Sequence, residues 1–323
     1  MPLPARSVAA AFAVAAFAAG IASAQDYPLK AVRLFVGFVA GSGTDTTARL
    51  LAQRLDEQLK QPFIVENRPG AGGNLASDIV ARAPADGYTL LLAAASIAIQ
   101  PAMSVKLPFD VPRSFTAISM VATGPFVLVV HPSVPARNAG ELVTLARAKP
   151  GMLNYASSGA GSSAHLQGEL FNALGKVRTI HVPYKGSPQA VLAVATGEVD
   201  FSFPSITGAQ PLLEAGRLRA IGISTARRTS LMPNMPTLHE SGVAGYDRTG
   251  WYALLGPAGI ARDVVIKLNA ATRKAVGTPE AKTAYLRQGL EVETTTPEQL
   301  AEFLKKEVEQ NVDLVRNAGI PRQ

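Results

Sequence analysis

One order is written twice along the chain: a short β-branched or aliphatic run, a loop of glycine and serine, a helical stretch, then another run. Residues 32–38 read as a buried strand, the loop 39–43 follows, and Thr44 and Asp45 offer N-caps for a helix to about residue 60. Ala48, Leu51, Ala52, Leu55 and Leu59 recur at the three- and four-residue spacing of a helix buried along one side. Residues 63–66 read as a second strand, 67–73 as a loop that cannot be helical, and 88–94 as a third strand after a second helix. The order then resumes, with strands expected at 126–130, 153–156, 178–182, 199–203 and 218–224. Asn138 with Glu141 caps one intervening helix, Ser162 or Ser163 opens another, and Gly197 and Gly216 stop two more.

A strand at 250–255 and three helices, at about 262–276, 279–289 and 297–318, end the protein. They are too little for a third domain and are better placed as a return to the first lobe. The expected fold is therefore α/β, with two lobes joined by two crossover strands and a ligand cleft between them. Lobe 1 takes 25–123 and 248–323, lobe 2 takes 124–247, and the crossings fall near 122–126 and 245–251.

The N-terminus sets the compartment. Residues 1–24 carry one charge, Arg6, an alanine-rich apolar run and then Ala22-Ser23-Ala24, the small-x-small pattern of a cleaved signal peptide. The expected mature protein is periplasmic, and removing 24 of 323 residues leaves 299, a comfortable length for two lobes. Loss of Arg6 takes the formal charge from +7 to +6. That excess is spread along the chain, with Arg227-Arg228 and Lys305-Lys306 as isolated doublets, so nucleic acid is not an expected partner. The chain has no cysteine and four histidines, none in a zinc-binding spacing, so neither a disulfide, a metal nor another cofactor is expected.

Two glycine-serine loops, 39–43 and 157–161, each follow a strand and feed a helix N-terminus. Ligands of open α/β sheets bind at such places. Unpaired backbone N–H groups and the helix dipole attract anions there, and glycine at 41, 43, 159 and 161 lets a ligand approach the backbone. A nucleotide fits poorly: Thr46 stands where a dinucleotide fingerprint needs its third glycine, and there is no phosphate-loop lysine. No serine lies in G-x-S-x-G, and Ser162, Ser163 and His165 lack an orienting third group. His165 reads as a helix-face residue bonded to the preceding loop, and His181 as a satisfied core residue. Asp45 reads either as an N-cap or as a partner for a ligand amino or hydroxyl group. Lys185 could pair with a ligand carboxylate, and Asp200, in a strand, is awkward to bury without a partner.

The strings F-V-A-G-S-G-T-D at 38–45, V-E-N-R-P-G-A-G-G-N at 65–74, D-G-Y-T-L at 86–90, G-A-G-S-S-A-H-L at 159–166, V-P-Y-K-G at 182–186 and G-E-V-D at 197–200 resemble the Bug family. These are extracytoplasmic solute receptors of tripartite tricarboxylate transporters. The resemblance covers nearly the whole mature chain and implies a type II periplasmic-binding-protein fold. It also implies a carboxylate ligand (dicarboxylate, tricarboxylate, acidic amino acid or aromatic acid) held largely by backbone groups and water. Carried over position by position, the site would be Ala40, Gly43, Thr44, Asp45 and Ser96 in lobe 1. In lobe 2 it would be Ser158, Gly159, Ser162, Ser163, Lys185 and Gly186, with Asp200 near the cleft. Val39, Ala40 and Ser42 depart from the family's usual prolines and glycine but leave the backbone role intact. The partners implied are the carboxylate and the membrane components of the transporter, with the protein itself a monomer. Binding without turnover is the expected activity; the competing readings are a secreted α/β enzyme using His165 or Asp45, and a ligand sensor for a membrane signalling partner.

Overall fold

A computed structural model of the protein describes residues 27–104 and 106–322, so the expected signal peptide lies outside the described residues. The chain begins with β1 (Val32–Val36), α1 (Gly43–Leu59), β2 (Phe63–Asn67), a single 3-10 turn (Ala71–Gly73), α2 (Asn74–Ala81) and β3 (Thr89–Ala94). α3 (Ser96–Met103), α4 (Val111–Ser114), β4 (Phe115–Pro125) and β5 (Val127–Val130) follow. Next come α5 (Ala139–Ala148), β6 (Asn154–Ser157), α6 (Ser163–Gly175), β7 (Ile180–Pro183), α7 (Ser187–Ala195), β8 (Phe201–Ser202), α8 (Ile206–Glu214) and β9 (Arg219–Ile223). β10 (Thr249–Pro257), α9 (Arg262–Gly277), α10 (Pro279–Arg287), β11 (Glu291–Val292) and α11 (Pro297–Asn317) complete the described chain.

Two sheets result, ordered β11-β4-β10-β3-β1-β2 and β7-β6-β8-β5-β9. β1 lies parallel to β2 and β3, and β6 parallel to β7 and β8. Both faces of the first sheet are covered. Leu34 and Val36 pack in one apolar cluster and Phe35 in another on the opposite face, which is why β1 reads as an unbroken hydrophobic run. Leu51 and Leu55 of α1 are fully buried against this sheet, each burial contributing about 1.5–3 kcal/mol.

β4 and β5 are consecutive in sequence but belong to different sheets, so the first crossing is at Phe126. The second lies between β9 and β10, and Ser224 ties the two crossings together. Ser224 Oγ accepts from Phe126 N at 2.9 Å and donates to Arg248 O at 2.5 Å. Arg248 N in turn donates to Ser224 O at 2.7 Å. α11 braces the second crossing, with Glu307 accepting from Trp251 Nε1 at 3.0 Å and Asn311 from the Arg248 guanidinium at 2.7 Å. The lobes also meet in an apolar cluster, where Leu166 of α6 packs with Ile99, Ala102 and Met103 of α3 and with Val315 and Ile320 at the C-terminus. The conformation is closed.

Several local expectations need correction. Ser42, rather than Thr44 or Asp45, caps α1, its side chain accepting from Asp45 N. The loop 67–73 is not free of helical structure, because Ala71–Gly73 forms a 3-10 turn with Gly72 in the left-handed region. The 11-residue β4 extends well upstream of the short crossing expected at 122–126. Its polar Ser119, Thr123 and Gly124, and two register shifts against β10, break the alternation that would reveal it.

Candidate functional site

The loops at the C-terminal ends of β1, β6, β7 and β8 all face the cleft between the lobes, and each feeds a helix. Ser42 caps α1 and Ser162 caps α6; Ser187 opens α7; Ser205 caps α8, accepting from Gly208 N at 3.3 Å. One cap side chain satisfies at most one of the first four N–H groups of a helix, so several donors at each end remain without an intrahelical acceptor. Each end also presents roughly half a positive charge.

These four ends surround an inner cavity of about 70 Å³. Gly43 and Thr44 line it from the first lobe, Ser158, Ser163, Ser187 and Ser205 from the second, and Trp251 and Tyr252 from the crossing strand. Among the described residues, no charged side chain lines it. Gly43 sits where lobe, lobe and crossing meet: a Cβ there would be 2.8 Å from the Tyr252 hydroxyl and 2.9 Å from Ser205 Oγ. Burial pushes Tyr252 up to about 12, partly offset by its hydrogen bond with Ser205, so it stays a neutral hydroxyl at neutral pH. Such a chamber can hold one carboxylate on backbone N–H groups and hydroxyls without a counter-ion.

An outer cavity of about 470 Å³ adjoins it, sharing Phe38 and Ser158 as lining. Its walls are the glycine loop 69–73, Ser158 with Gly159 and Ala160, and Tyr184 with Lys185. Much of this rim, including Lys185, is exposed.

Behind the second-lobe loop lies a pair of histidines, His165 buried and His181 half-buried. His165 Nδ1 accepts from Gly161 N at 3.1 Å, so the residue does bond back to the preceding loop. His181 Nε2 meets Ser157 Oγ at 2.6 Å, and the two imidazoles stack at 4.0 Å. Burial pushes His165 down to about 3, helped by the adjacent His181, and pushes His181 down to about 4. Both are neutral near pH 7, as the accepting Nδ1 of His165 requires of that residue. They support the loop rather than reach into the cleft.

The sequence-derived residues divide accordingly. Gly43, Thr44, Ser158 and Ser163 come together in the inner cavity, and Gly159 and Lys185 join Ser158 in the outer one. Ala40 is exposed and lines neither cavity. Asp45 is turned inward, held by Gly41 N at 2.9 Å, Asn67 Nδ2 at 2.9 Å and Arg49 at 3.0 Å. Burial alone would raise its carboxyl, but those three donors outweigh it and hold the group below the ordinary carboxylate value. Ser96 lies behind the site, beside Gly37 and Gly73, and Ser162 is committed to capping α6. Gly186 packs on Val39 of the other lobe, where a Cβ would approach within 2.5 Å. Asp200 is not brought to the cleft. It sits at the opposite end of β8, exchanging hydrogen bonds with Asn154 at 2.8 and 2.9 Å. Ser187, Ser205 and Tyr252 were missed, although Ser187 and Ser205 give the same signal as the glycine loops, a serine between a strand end and a helix.

The family description "tripartite tricarboxylate transporter family receptor", TctC, matches residues 47–320. The chain belongs to this receptor family. Protein BugT of Bordetella pertussis (strain Tohama I) is 33% identical over 306 residues, 93% of this chain and 94% of that protein. Among solved structures, R. palustris Rpa4515 with adipate superposes with a TM-score of 0.89 at 32% identity, covering 92% of this chain and all of that one. MatC (Rpa3494) from Rhodopseudomonas palustris with bound malate does so with a TM-score of 0.85 at 31% identity, over 90% and 100% of the two chains. The TctC-type receptor thus shares the two-lobed periplasmic-binding-protein fold of these solute-binding relatives.

Proposed function

We propose that the protein captures a small carboxylated organic solute in the periplasm and presents it, as a monomer, to the membrane components of a tripartite tricarboxylate transporter. The observation that carries this reading is the convergence of four helix N-termini on a cavity that no charged side chain lines among the described residues. A carboxylate is the small group best served by many N–H and hydroxyl donors and no acceptor-rich wall. The adipate and malate bound by the two relatives support the same chemistry. Binding rather than turnover fits the supporting role of the histidines and the inward commitment of Asp45.

A thermal-shift screen across mono-, di- and tricarboxylates and acidic amino acids tests it. At least one acid should raise the unfolding midpoint and be recovered chemically unchanged after prolonged incubation. Chemical conversion of the stabilising acid would favour an enzyme instead.

A further inference from the structure

We propose that Lys185 determines specificity by pairing with a second anionic group, so that the preferred solute is an elongated dicarboxylate spanning both chambers. This rests on the carboxylate reading above. The inner chamber, about 70 Å³, is far below the roughly 300–1,000 Å³ of small-molecule sites, so it holds the head of a solute and not its body. The body must continue past Phe38 and Ser158, the residues common to both chambers, into the outer 470 Å³.

Among the described residues, Lys185 is the only charged side chain lining either chamber, and it lines the outer one alone. The other cations on the cleft loops have carboxylate partners: Arg49 pairs with Asp45 at 3.0 Å, and Arg68 shares Glu66 with Arg33, at 3.2 and 2.6 Å. Among the described residues no carboxylate forms an ion pair with Lys185, and the adjacent Tyr184 hydroxyl occupies Glu198 at 2.8 Å. The packing of Gly186 on Val39 holds the neighbouring backbone against the first lobe, and Lys185 lines the outer chamber from there. A short diacid contained in the inner chamber does not reach it.

Calorimetry with straight-chain diacids from succinate to suberate, each paired with the monoacid of equal length, tests this on the unmutated protein and on Lys185→Met and Lys185→Arg. The methionine keeps the apolar stem, and an exposed position leaves folding intact, which the ligand-free unfolding midpoint verifies. The unmutated protein should bind a long diacid about fivefold tighter than its monoacid, the upper end of what an exposed ion pair contributes. Lys185→Met should erase that preference, bringing diacid affinity down to that of the monoacid of equal length, and Lys185→Arg should keep it. Equal affinity for diacid and monoacid in the unmutated protein, or a preference that survives Lys185→Met, overturns the role of Lys185 while leaving carboxylate capture standing. Failure of every acid to bind overturns both.

Discussion

The side-chain amide of Gln100, in the first lobe, donates to the backbone carbonyl of Gly161, in the second, at 3.0 Å. The same nitrogen reaches Ala71 O at 3.2 Å, and the amide oxygen accepts from Asn74 at 3.0 Å and Ser104 at 2.6 Å. Gln100 is 2% exposed, and Gly161 has room for it only because a Cβ there would lie 2.4 Å from its nitrogen. The residue therefore latches the closed form. Gln100→Ala removes one cross-lobe bond, worth about 1 kcal/mol, and shifts the population toward the open form. Solute affinity should fall about fivefold, and small-angle scattering of the ligand-free variant should show a larger radius of gyration. Unchanged affinity and scattering would mean the bond is incidental to closure.

Gly43→Ala places a methyl against Tyr252 and Ser205, from the crossing strand and the second lobe. Opening the cleft moves Ser205 away, while Tyr252, in the same sheet as β1, stays and only its hydroxyl end must give, so the fold should survive while solute binding weakens at least tenfold. Paired calorimetry and thermal melts check this; a variant that binds normally would show that closure does not bring Ser205 against Gly43.

Ser224 is fully buried and serves both crossings with one hydroxyl. Ser224→Ala leaves Phe126 N and Arg248 O without that partner and should cost about 1–3 kcal/mol in urea unfolding. A loss within error would indicate that the crossings are held by packing and the remaining backbone bonds alone.

The histidine pair gives stability a defined pH dependence. Both pKa values are lower in the folded protein, about 3 and about 4, than the unfolded 6.5. Between about pH 6.5 and 4 the unfolded chain therefore binds more protons, and stability falls as pH falls. Above about 6.5 the pair contributes no slope. Two protons correspond to at most about 2.7 kcal/mol per pH unit. Unfolding free energy measured by denaturant at successive pH values should show this fall, and His181→Asn should roughly halve its slope. An undiminished slope in the variant would assign the effect to other groups.

Much of the architecture is legible in the chain because each lobe is built from local alternation of strand, loop and helix, and Gly197 and Gly216 do stop their helices in left-handed turns. β4 is hidden because its pairing, not its composition, makes it a strand. Pro101 hides α3, since a proline inside a helix argues against one. At the site, Gly43, Thr44, Ser158 and Ser163 are legible from loop chemistry. Tyr252 is not, because it is placed beside Gly43 by the pairing of β10 with β3, strands far apart in the chain. Asp45 and Asp200 mislead for a common reason: each is held by an asparagine, Asn67 or Asn154, that no spacing rule connects to it, although the Asp45 pair with Arg49 follows the i,i+4 spacing of a helix.

A crystal structure with a solute identified by the thermal-shift screen tests carboxylate capture at the helix ends most directly. One carboxylate should lie in the inner cavity, its oxygens about 2.7–3.2 Å from N–H groups of the 43–44 turn in one lobe and the 163–164 turn in the other. A solute bound against one lobe only, or held by charged side chains away from those turns, would contradict the account.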